Sequence, residues 1–240
     1  MADSDDNTIP IEAWNTILFD KFLRYRYVLT TGLSDHSEEL FRRRAFPAGA
    51  KVLDVGCGFG DTTQEIARQI GSRGLAMGTD CAPRFIEIAK GDTAKAKIAN
   101  AKFFAADAQS EDLRGPYDHV FSRFGTMFFN LPGAALRNFR QALRPEGTLT
   151  MIVWRKREDN PWVHEAELCV KEELSVVEHA VTDAVHCGPG PFSMAGADLV
   201  SDMLRAAGFD HIGFERYDTQ ICIGKTLDQS LEFAMSLGPA

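Results

Sequence analysis

A glycine-rich stretch, "KVLDVGCGFGDTT" at Lys51–Thr63, has the residue types of a ligand-binding loop. Gly56, Gly58 and Gly60 follow an apolar run typical of a strand and precede a segment typical of a helix. Glycines allow a tight turn and let a ligand touch the bare backbone, and the following helix start supplies N–H groups. The stretch predicts a cofactor loop at the carboxyl edge of a sheet, although glycine turns also form for packing alone.

The residue after the third glycine favours one kind of cofactor. Asp61 stands where the dinucleotide pattern G-x-G-x-x-G has its last glycine, and Asp61 with Gln64 has the spacing of a capping box. A carboxylate at a helix N-terminus repels a pyrophosphate but tolerates a positively charged ligand. S-adenosylmethionine carries a sulfonium, an ammonium and a carboxylate without a phosphate, so it fits this loop.

Two further acids end predicted strands. Asp80 closes "GTD", 26 positions after Asp54, where its carboxylate can accept from both ribose hydroxyls of an adenosine. Asp107 closes the strand of "AADA", where it can accept from an adenine amino group while the Ala108 N–H donates to the ring. Each acid has a plainer alternative, because Asp80 could cap the next helix and Asp107 could serve as a turn residue.

Alternating strand and helix patterns place these residues on a sheet. Five runs read as strands, at 51–55, 74–80, 101–107, 117–122 and 147–154. Helical windows separate them at about 61–70, 83–98 and 133–143. This alternation predicts an α/β fold with a doubly wound, Rossmann-like, mostly parallel sheet. A helix at 197–207 and the runs "HIGFERYD" and "TQICIG" add a C-terminal antiparallel hairpin, which makes the predicted sheet seven-stranded.

Two segments lie outside this alternation. Residues 1–48 read as a helical cap whose aromatics Trp14, Phe19, Phe22 and Tyr25 fall near one stripe. Residues 49–240 form the predicted main domain, with an insert at about 156–196 that ends in glycine and proline. Cap and insert could together cover the carboxyl edge of the sheet.

Composition restricts the partners. The 240 residues are 45% hydrophobic and 25% charged, which is typical of one globular domain, and the formal charge of −8 disfavours nucleic acid and membrane surfaces. No apolar window is long enough to span a membrane, and the acidic N-terminus is unlike a signal peptide, so we expect a cytoplasmic protein. The five cysteines show no metal-ligand or disulfide spacing, so no metal is expected.

In their order along the chain, these motifs resemble the class I S-adenosylmethionine-dependent methyltransferases, in particular the small-molecule branch of ubiquinone and menaquinone biosynthesis. "VLDVGCGFG" is similar to the first motif, "GTDCAPRFIEIAK" to the ribose motif and "FFAADAQ" to the adenine motif, and the resemblance covers about residues 50–155. It implies S-adenosyl-L-methionine as cofactor and a small, apolar or aromatic methyl acceptor. It also implies that the cofactor is lined by Asp54, Gly56, Gly58, Asp80, Asp107, Ala108 and Ser122. Within that set, Gly56 would lie near the methionine part and the Ser122 carbonyl near its ammonium.

Catalytic residues are less well defined, because methyl transfer is an in-line displacement in which the protein mainly aligns the acceptor and excludes water. Arg123, Trp154, His164 and His186 follow strands four and five or lie in the insert. Either histidine could act as a general base or have an ordinary packing role. Arg123 could bind an anionic acceptor or pair with an acid. The predicted acceptor pocket is aromatic, from Phe124, Phe128, Phe129 and Phe192.

Two other functions fit the same residues. A nicotinamide-dependent short-chain reductase also binds an adenosine through a glycine turn and acids, but none of the four tyrosines has the lysine four positions later that this family uses. A non-catalytic module of the same fold would retain the cofactor site without transferring a methyl group. The residues specify neither the acceptor atom nor an oligomeric state.

Overall fold

The computed structural model describes residues 8–174 and 189–237 of the chain. Its centre is a five-stranded sheet, formed by β1 (Lys51–Val55), β2 (Leu75–Asp80), β3 (Ala101–Ala105), β4 (Tyr117–Arg123) and β5 (Leu143–Ile152). All paired strands are parallel, in the spatial order β3-β2-β1-β4-β5. The predicted Rossmann-like parallel α/β sheet is therefore confirmed, and its strand order reverses between β1 and β4, where open sheets bind ligands.

Helices cover both faces of this sheet. The connecting helices are α4 (Asp61–Ile70), α5 (Pro83–Lys95) and α6 (Pro132–Ala142), and α8 (Ala197–Ala206) packs beside α6. The side chains of β1 are almost fully buried because each face of the sheet has an apolar layer against it. A parallel sheet with both faces covered reads as near-continuous apolar runs, which explains why the sequence patterns located the strands.

The N-terminal segment is helical from α1 (Thr8–Asn15) through α2 (Ile17–Arg24) and a π-helical turn at Val28–Gly32 to α3 (Ser34–Arg43). Trp14, Phe19 and Phe22 join one aromatic cluster with Phe59 and Phe85 of the α/β domain. Tyr25 leaves the predicted stripe and packs against Phe233 of the last helix, α9 (Leu227–Leu237), at 5.5 Å between ring centroids. The aromatic stripe therefore serves two separate contacts.

The predicted seven-stranded sheet with a C-terminal antiparallel hairpin is not confirmed. Residues 209–226 carry no strand in the structure and run along the N-terminal helices. Their polar groups bond to side chains there: Ile223 O accepts from Tyr27 Oη at 3.0 Å, and Thr219 Oγ1 donates to Asp35. Much of the segment is exposed, with Phe214 at 53%. The alternating apolar residues reflect intermittent contact with those helices and not a ladder of strands.

Helix α7 (Pro161–Leu174) follows β5 and a short 3-10 turn at Arg157–Asp159. At 14 residues it is the longest helix of the described chain. A bilayer requires about 20 apolar residues in a helix, and no helix in the described ranges has the length and apolarity for that.

Candidate functional site

A cavity opens at the carboxyl ends of β1, β2 and β4, beside the reversal of strand order. The glycine loop and the ends of β2 and β3 form one wall, through Gly58, Asp80 and Asp107. The N-terminal helices form the opposite wall with apolar side chains, among them Trp14 and Leu29. The topology thus brings the predicted cofactor loop, both acids and the helical segment to one site.

The three loop glycines have positive φ angles, of 68°, 50° and 79° for Gly56, Gly58 and Gly60. A Cβ on Gly60 would lie 2.9 Å from Phe103 Cε1, and one on Gly56 would lie 3.1 Å from Gly125 Cα. A Cβ on Gly58 would meet nothing within 4 Å. Gly60 is therefore required by packing as well as by backbone conformation, Gly56 is in tight contact with Gly125, and Gly58 borders open space in the cavity.

Asp80 links the glycine loop to the end of β2. Its Oδ2 accepts from Gly58 N at 3.0 Å and its Oδ1 from Ala82 N at 3.0 Å. The N-cap of α5 is Ala82, so the alternative role of Asp80 as the cap of this helix is not what the structure shows. Burial raises the pKa of Asp80, and the two backbone N–H groups oppose that shift by stabilising the carboxylate.

Asp107 organises the turn after β3 and also lines the cavity, as does Ala108. Its Oδ1 accepts from Gln109 N at 3.0 Å, and its Oδ2 accepts from Ser110 Oγ at 3.0 Å. Gln109 Nε2 also donates to Asp107 Oδ1 at 3.2 Å. The turn role considered from the sequence is thus present, and it holds the carboxylate at the cavity wall.

Asp54 and Ser122 lie beneath the cavity and do not line it. Asp54 is 1% exposed, and its Oδ2 accepts from Thr62 and Thr63 Oγ1 at 2.7 and 2.6 Å. Burial raises the pKa of Asp54 to about 6, against the opposing effect of the two threonine hydroxyls. Ser122 Oγ donates to Val55 O at 2.8 Å. Both residues tie β1 to its neighbours and position the loop from below.

Asp61 does not form the predicted capping box. The N-cap of α4 is Gly60, without a side-chain cap bond, and Asp61 is the first helical residue. Its Oδ2 instead accepts from Arg123 Nη2 at 2.6 Å. The capping-box prediction was wrong because the guanidinium of Arg123, at the end of β4, competes for the carboxylate, and hydrogen bonds between charged partners are the stronger kind.

The other predicted catalytic candidates lie away from the cavity or outside the described residues. Trp154 stacks on Phe124 at 4.3 Å between centroids, behind the wall that Phe124 forms. His164 lies on α7 and does not line the cavity. His186 falls in the part of the chain that the structure does not describe.

Sequence reasoning missed His36 of α3. Its ring packs edge-on against Phe124 at 5.2 Å and Trp154 at 5.5 Å, and burial lowers its pKa. Like Trp154, it lies behind the cavity wall. It stands in a polar helical stretch, "SDHSEEL", which has no recognisable motif, so only the fold reveals its aromatic surroundings.

Aromatic rings enclose the far half of the cavity. Trp14 contacts Phe22 and Phe128, each at 5.1 Å between centroids and nearly perpendicular. Phe124 and Phe129, which the sequence analysis assigned to an acceptor pocket, also line the cavity. Phe192 of that prediction instead lies under the Arg157 guanidinium, 5.3 Å from the ring centroid, and is not part of the lining.

A parallel sheet with a glycine loop after its first strand and acids after the next two is the arrangement of the class I S-adenosylmethionine-dependent methyltransferases. A family model described as a methyltransferase domain matches residues 47–208. The chain belongs to this methyltransferase-domain family, and S-adenosylmethionine is the cofactor of its class.

Curated relatives match only in part. A demethylmenaquinone methyltransferase of Staphylococcus aureus (strain MRSA252) is 33% identical over 107 residues, covering 43% of this chain and 43% of the relative. The biotin biosynthesis bifunctional protein BioCD of Bordetella avium (strain 197N) is 25% identical over 158 residues, covering 64% of this chain and 33% of that protein. The chain thus spans less than half the length of these two relatives.

Solved structures share the fold. A SAM-dependent methyltransferase from Aquifex aeolicus superposes with a TM-score of 0.53 at 18% identity, covering 85% of this chain and 88% of that one. The YcgJ protein from Bacillus subtilis gives a TM-score of 0.58 at 16% identity, with 85% and 83% covered. At these identities the likeness concerns the fold alone.

Proposed function

We propose that this protein transfers a methyl group from S-adenosylmethionine to a small, apolar or aromatic metabolite. The observation that carries the proposal is one continuous cavity with two chemically different walls. Acids and glycine backbone line the wall at the strand ends, and aromatic and aliphatic side chains line the wall from the N-terminal helices. A polar cofactor and an apolar acceptor can therefore meet in one cavity.

The polar wall suits the adenosine of the cofactor. Asp80 would accept from the ribose hydroxyls, Asp107 from the adenine amino group, and the Ala108 N–H would donate to the ring. The open space at the missing Cβ of Gly58 supports this fit, because a ligand can approach the loop backbone there. Gly56 would adjoin the methionine part. Asp54 and Ser122, which lie below the cavity, would position this wall without touching the ligand.

The apolar wall suits a flat or aliphatic acceptor. Leu29, Leu33 and Phe124 offer apolar surface, and Trp14 and Phe128 close the far end. The bound cofactor supplies an electrophilic methyl group, and the protein contributes alignment and exclusion of water. No histidine lines the cavity among the described residues, so the proposal assigns catalysis to positioning and not to His164 as a general base.

The domain organisation and the kind of partner are part of the same proposal. Residues 1–48 would act as a helical cap over the main domain at 49–240, with the insert at about 156–196 beside it. The basic cluster at Arg42–Arg44 is matched by acids, since Arg42 and Arg43 pair with Glu39 and Arg44 with Glu215. Together with the charge of −8, this supports a cytoplasmic, small-molecule enzyme over a nucleic-acid partner.

Thermal melts with three ligands test the cofactor. S-adenosylhomocysteine at a hundredfold excess over its Kd should raise the free energy of unfolding by about 2.7 kcal/mol, while NAD and NADP should leave it unchanged. A shift with NADP and none with S-adenosylhomocysteine would favour the short-chain reductase instead. Mass spectrometry of the protein as purified provides a second test, because a retained S-adenosyl compound would be seen directly.

Methyl transfer itself needs a separate assay. Incubation with methyl-labelled S-adenosylmethionine and a set of quinols, phenols and amines should label an apolar acceptor. Binding of S-adenosylhomocysteine without methyl transfer to any of these compounds would support the non-catalytic module of the same fold.

A further inference from the structure

Phe59 stands between Gly58 and Gly60 in the glycine loop. Its backbone lies in the turn that Gly60 N closes by donating to Cys57 O at 2.8 Å. The Phe59 side chain is 3% exposed and lines the cavity. Both neighbours of Phe59 have positive φ angles and no side chain, so Phe59 supplies the side-chain anchor of this part of the loop.

Three side chains hold the Phe59 ring. Phe85 of α5 contacts it at 5.0 Å between centroids and Phe19 of α2 at 6.5 Å. The Arg26 guanidinium carbon lies over the ring, 4.7 Å from its centroid. Arg26 stands between α2 and the π-helical turn and does not line the cavity. The N-terminal segment therefore reaches the glycine loop through a cation on an aromatic face, an attractive contact.

Asp92 of α5 aligns the Arg26 guanidinium over this ring. Arg26 Nη2 donates to Asp92 Oδ2 at 2.6 Å, and the two side chains are 35% and 25% exposed. The bond to Arg26 lowers the pKa of Asp92, which keeps the carboxylate ionised at neutral pH. A planar guanidinium whose orientation is set by a carboxylate stacks on an aromatic ring with little further loss of side-chain freedom.

We propose that Arg26 is a positioning residue for the cofactor, which acts through Phe59 by holding the glycine loop in its binding conformation. This inference rests on the proposed function, in which the cofactor lies along that loop. The Phe59 side chain and the Gly58 backbone belong to one turn, so displacement of the ring would tilt the backbone that faces the cavity. A loop that is held in place before the ligand arrives lowers the entropic cost of binding.

Arg84 of α5 provides a matched comparison. Its guanidinium carbon lies 3.9 Å from the centroid of the Phe19 ring, and its Nη2 pairs with Asp20 at 3.0 Å. The same chemistry thus joins α5 to the N-terminal segment a second time. Neither Arg84 nor Phe19 lines the cavity, and Phe19 is not part of the glycine loop. Loss of the Arg84 charge should loosen the same interface without freeing the Phe59 ring from Arg26.

Calorimetry with S-adenosylhomocysteine on three variants tests the inference. Arg26→Gln should weaken binding about 4- to 10-fold, as the loss of one cation–aromatic contact implies. Arg26→Lys retains a cation over the ring and should stay within about twofold of the unaltered protein. Arg84→Gln should also change the affinity by less than about twofold, although its melting temperature falls.

A double-variant cycle shows whether Arg26 acts through the ring. Phe59→Leu keeps an apolar side chain and removes the aromatic face. In this background Arg26→Gln should change the affinity for S-adenosylhomocysteine by less than about twofold, because the group that transmits its effect is absent. If Arg26 only stabilised the N-terminal segment, its effect would persist without the ring.

Two results would overturn the inference: equal weakening of S-adenosylhomocysteine by Arg26→Gln and Arg84→Gln, or a full effect of Arg26→Gln in the Phe59→Leu background. If Arg26→Gln does not fold, Asp92→Asn takes its place, since it releases the guanidinium. It should weaken binding at least about twofold when Phe59 is present and not when leucine replaces it. Failure of the unaltered protein to bind S-adenosylhomocysteine would instead refute the proposed function, and the inference would fall with it.

Discussion

Asp80 Oδ2 accepts a hydrogen bond from Gly58 N at 3.0 Å, which joins the end of β2 to the middle of the glycine loop. Gly58 has φ of 50° and open space where a Cβ would stand. The carboxylate therefore holds the loop in the conformation that exposes its backbone to the cavity, at a left-handed position that glycine adopts without strain. A ligand that accepts or donates at either residue meets a wall that is already organised, which lowers the entropic cost of binding.

Alanine at two loop glycines should separate binding from packing. Gly58→Ala places a residue in the left-handed region without overlap and should cost about 1 to 2 kcal/mol of stability, while its methyl group fills space at the cavity. Gly60→Ala adds overlap with Phe103 at 2.9 Å and should cost about 2 to 5 kcal/mol. Denaturant melts measure the stability of the two variants, and calorimetry measures their affinity for S-adenosylhomocysteine. For each kcal/mol of stability lost, we expect Gly58→Ala to lose more affinity for S-adenosylhomocysteine than Gly60→Ala does. A larger relative loss of affinity in Gly60→Ala would contradict a ligand at Gly58.

Removing the Asp80 carboxylate should weaken binding of the cofactor. We expect Asp80→Ala to reduce S-adenosylhomocysteine binding by about 1.5 to 3 kcal/mol, the usual range for hydrogen bonds to a charged group. The melting temperature should also fall, because Gly58 N and Ala82 N lose their acceptor. Calorimetry at a temperature well below the melt separates the two effects. Unchanged affinity with a lower melting temperature would leave Asp80 as a loop support only.

The parallel sheet and the polar wall were predictable because they depend on local pattern. Buried parallel strands are apolar runs, and the residues that end them must meet at one edge, so Asp80 and Asp107 could be placed together from the sequence. The packing role of Gly60 was foreseen only as a general alternative. Which glycine serves packing depends on Phe103, a residue from another strand.

Contacts between distant segments were not predictable in this way. The capping-box spacing of Asp61 and Gln64 is local, whereas the partner that prevails, Arg123, lies at the end of a different strand. The C-terminal runs alternate like strands, but strand formation depends on pairing with a neighbouring strand and not on alternation alone. Tyr25 shares a helical stripe with Phe22, yet α9 supplies its partner Phe233.

The buried Asp54 should make stability depend on pH. Its pKa is about 6 in the folded protein and 3.8 when unperturbed, so the folded state binds the proton more tightly. Stability from this group is fully present below about pH 4 and is lost as the pH rises through about 6. The loss is on the order of 3 kcal/mol. Asp54→Asn should therefore gain stability relative to the unaltered protein between pH 4 and 7 in denaturant melts.

Asp92→Asn is the matched control for that titration. The bond to Arg26 lowers the pKa of Asp92, so its stabilising contribution is present at neutral pH and is lost as the pH falls. Because that loss lies below about pH 4, the difference in stability between Asp92→Asn and the unaltered protein should stay nearly constant between pH 4 and 7 and change in the opposite direction only at lower pH. A flat difference for Asp54→Asn over this range would show that the carboxylate stays ionised when buried.

The N-terminal segment should become more resistant to protease when the cofactor binds. Trp14 and Leu29 line the cavity, so a ligand there gains contact with α1 and the π-helical turn and favours their docked state. Trypsin can cut at Lys21, which is exposed, and at Arg24 and Arg26, which pair with Glu232 and Asp92. We expect S-adenosylhomocysteine to slow cleavage within residues 1–30, as followed by mass spectrometry.

Two tryptophan variants show whether the ligand-dependent protection from trypsin depends on the aromatic wall of the cavity. Trp14→Ala removes the contacts with Phe22 and Phe128, each at 5.1 Å, and should abolish most of the ligand-dependent protection. Trp162→Ala removes a tryptophan of α7 that packs on Trp154 and Phe233, outside the cavity lining, and should retain it. Each variant is first shown by calorimetry to bind S-adenosylhomocysteine. If trypsin cuts the unaltered protein equally with and without bound ligand, the N-terminal aromatic residues serve only ordinary packing. If both tryptophan variants show the same ligand-dependent protection, Trp14 has no part in that protection.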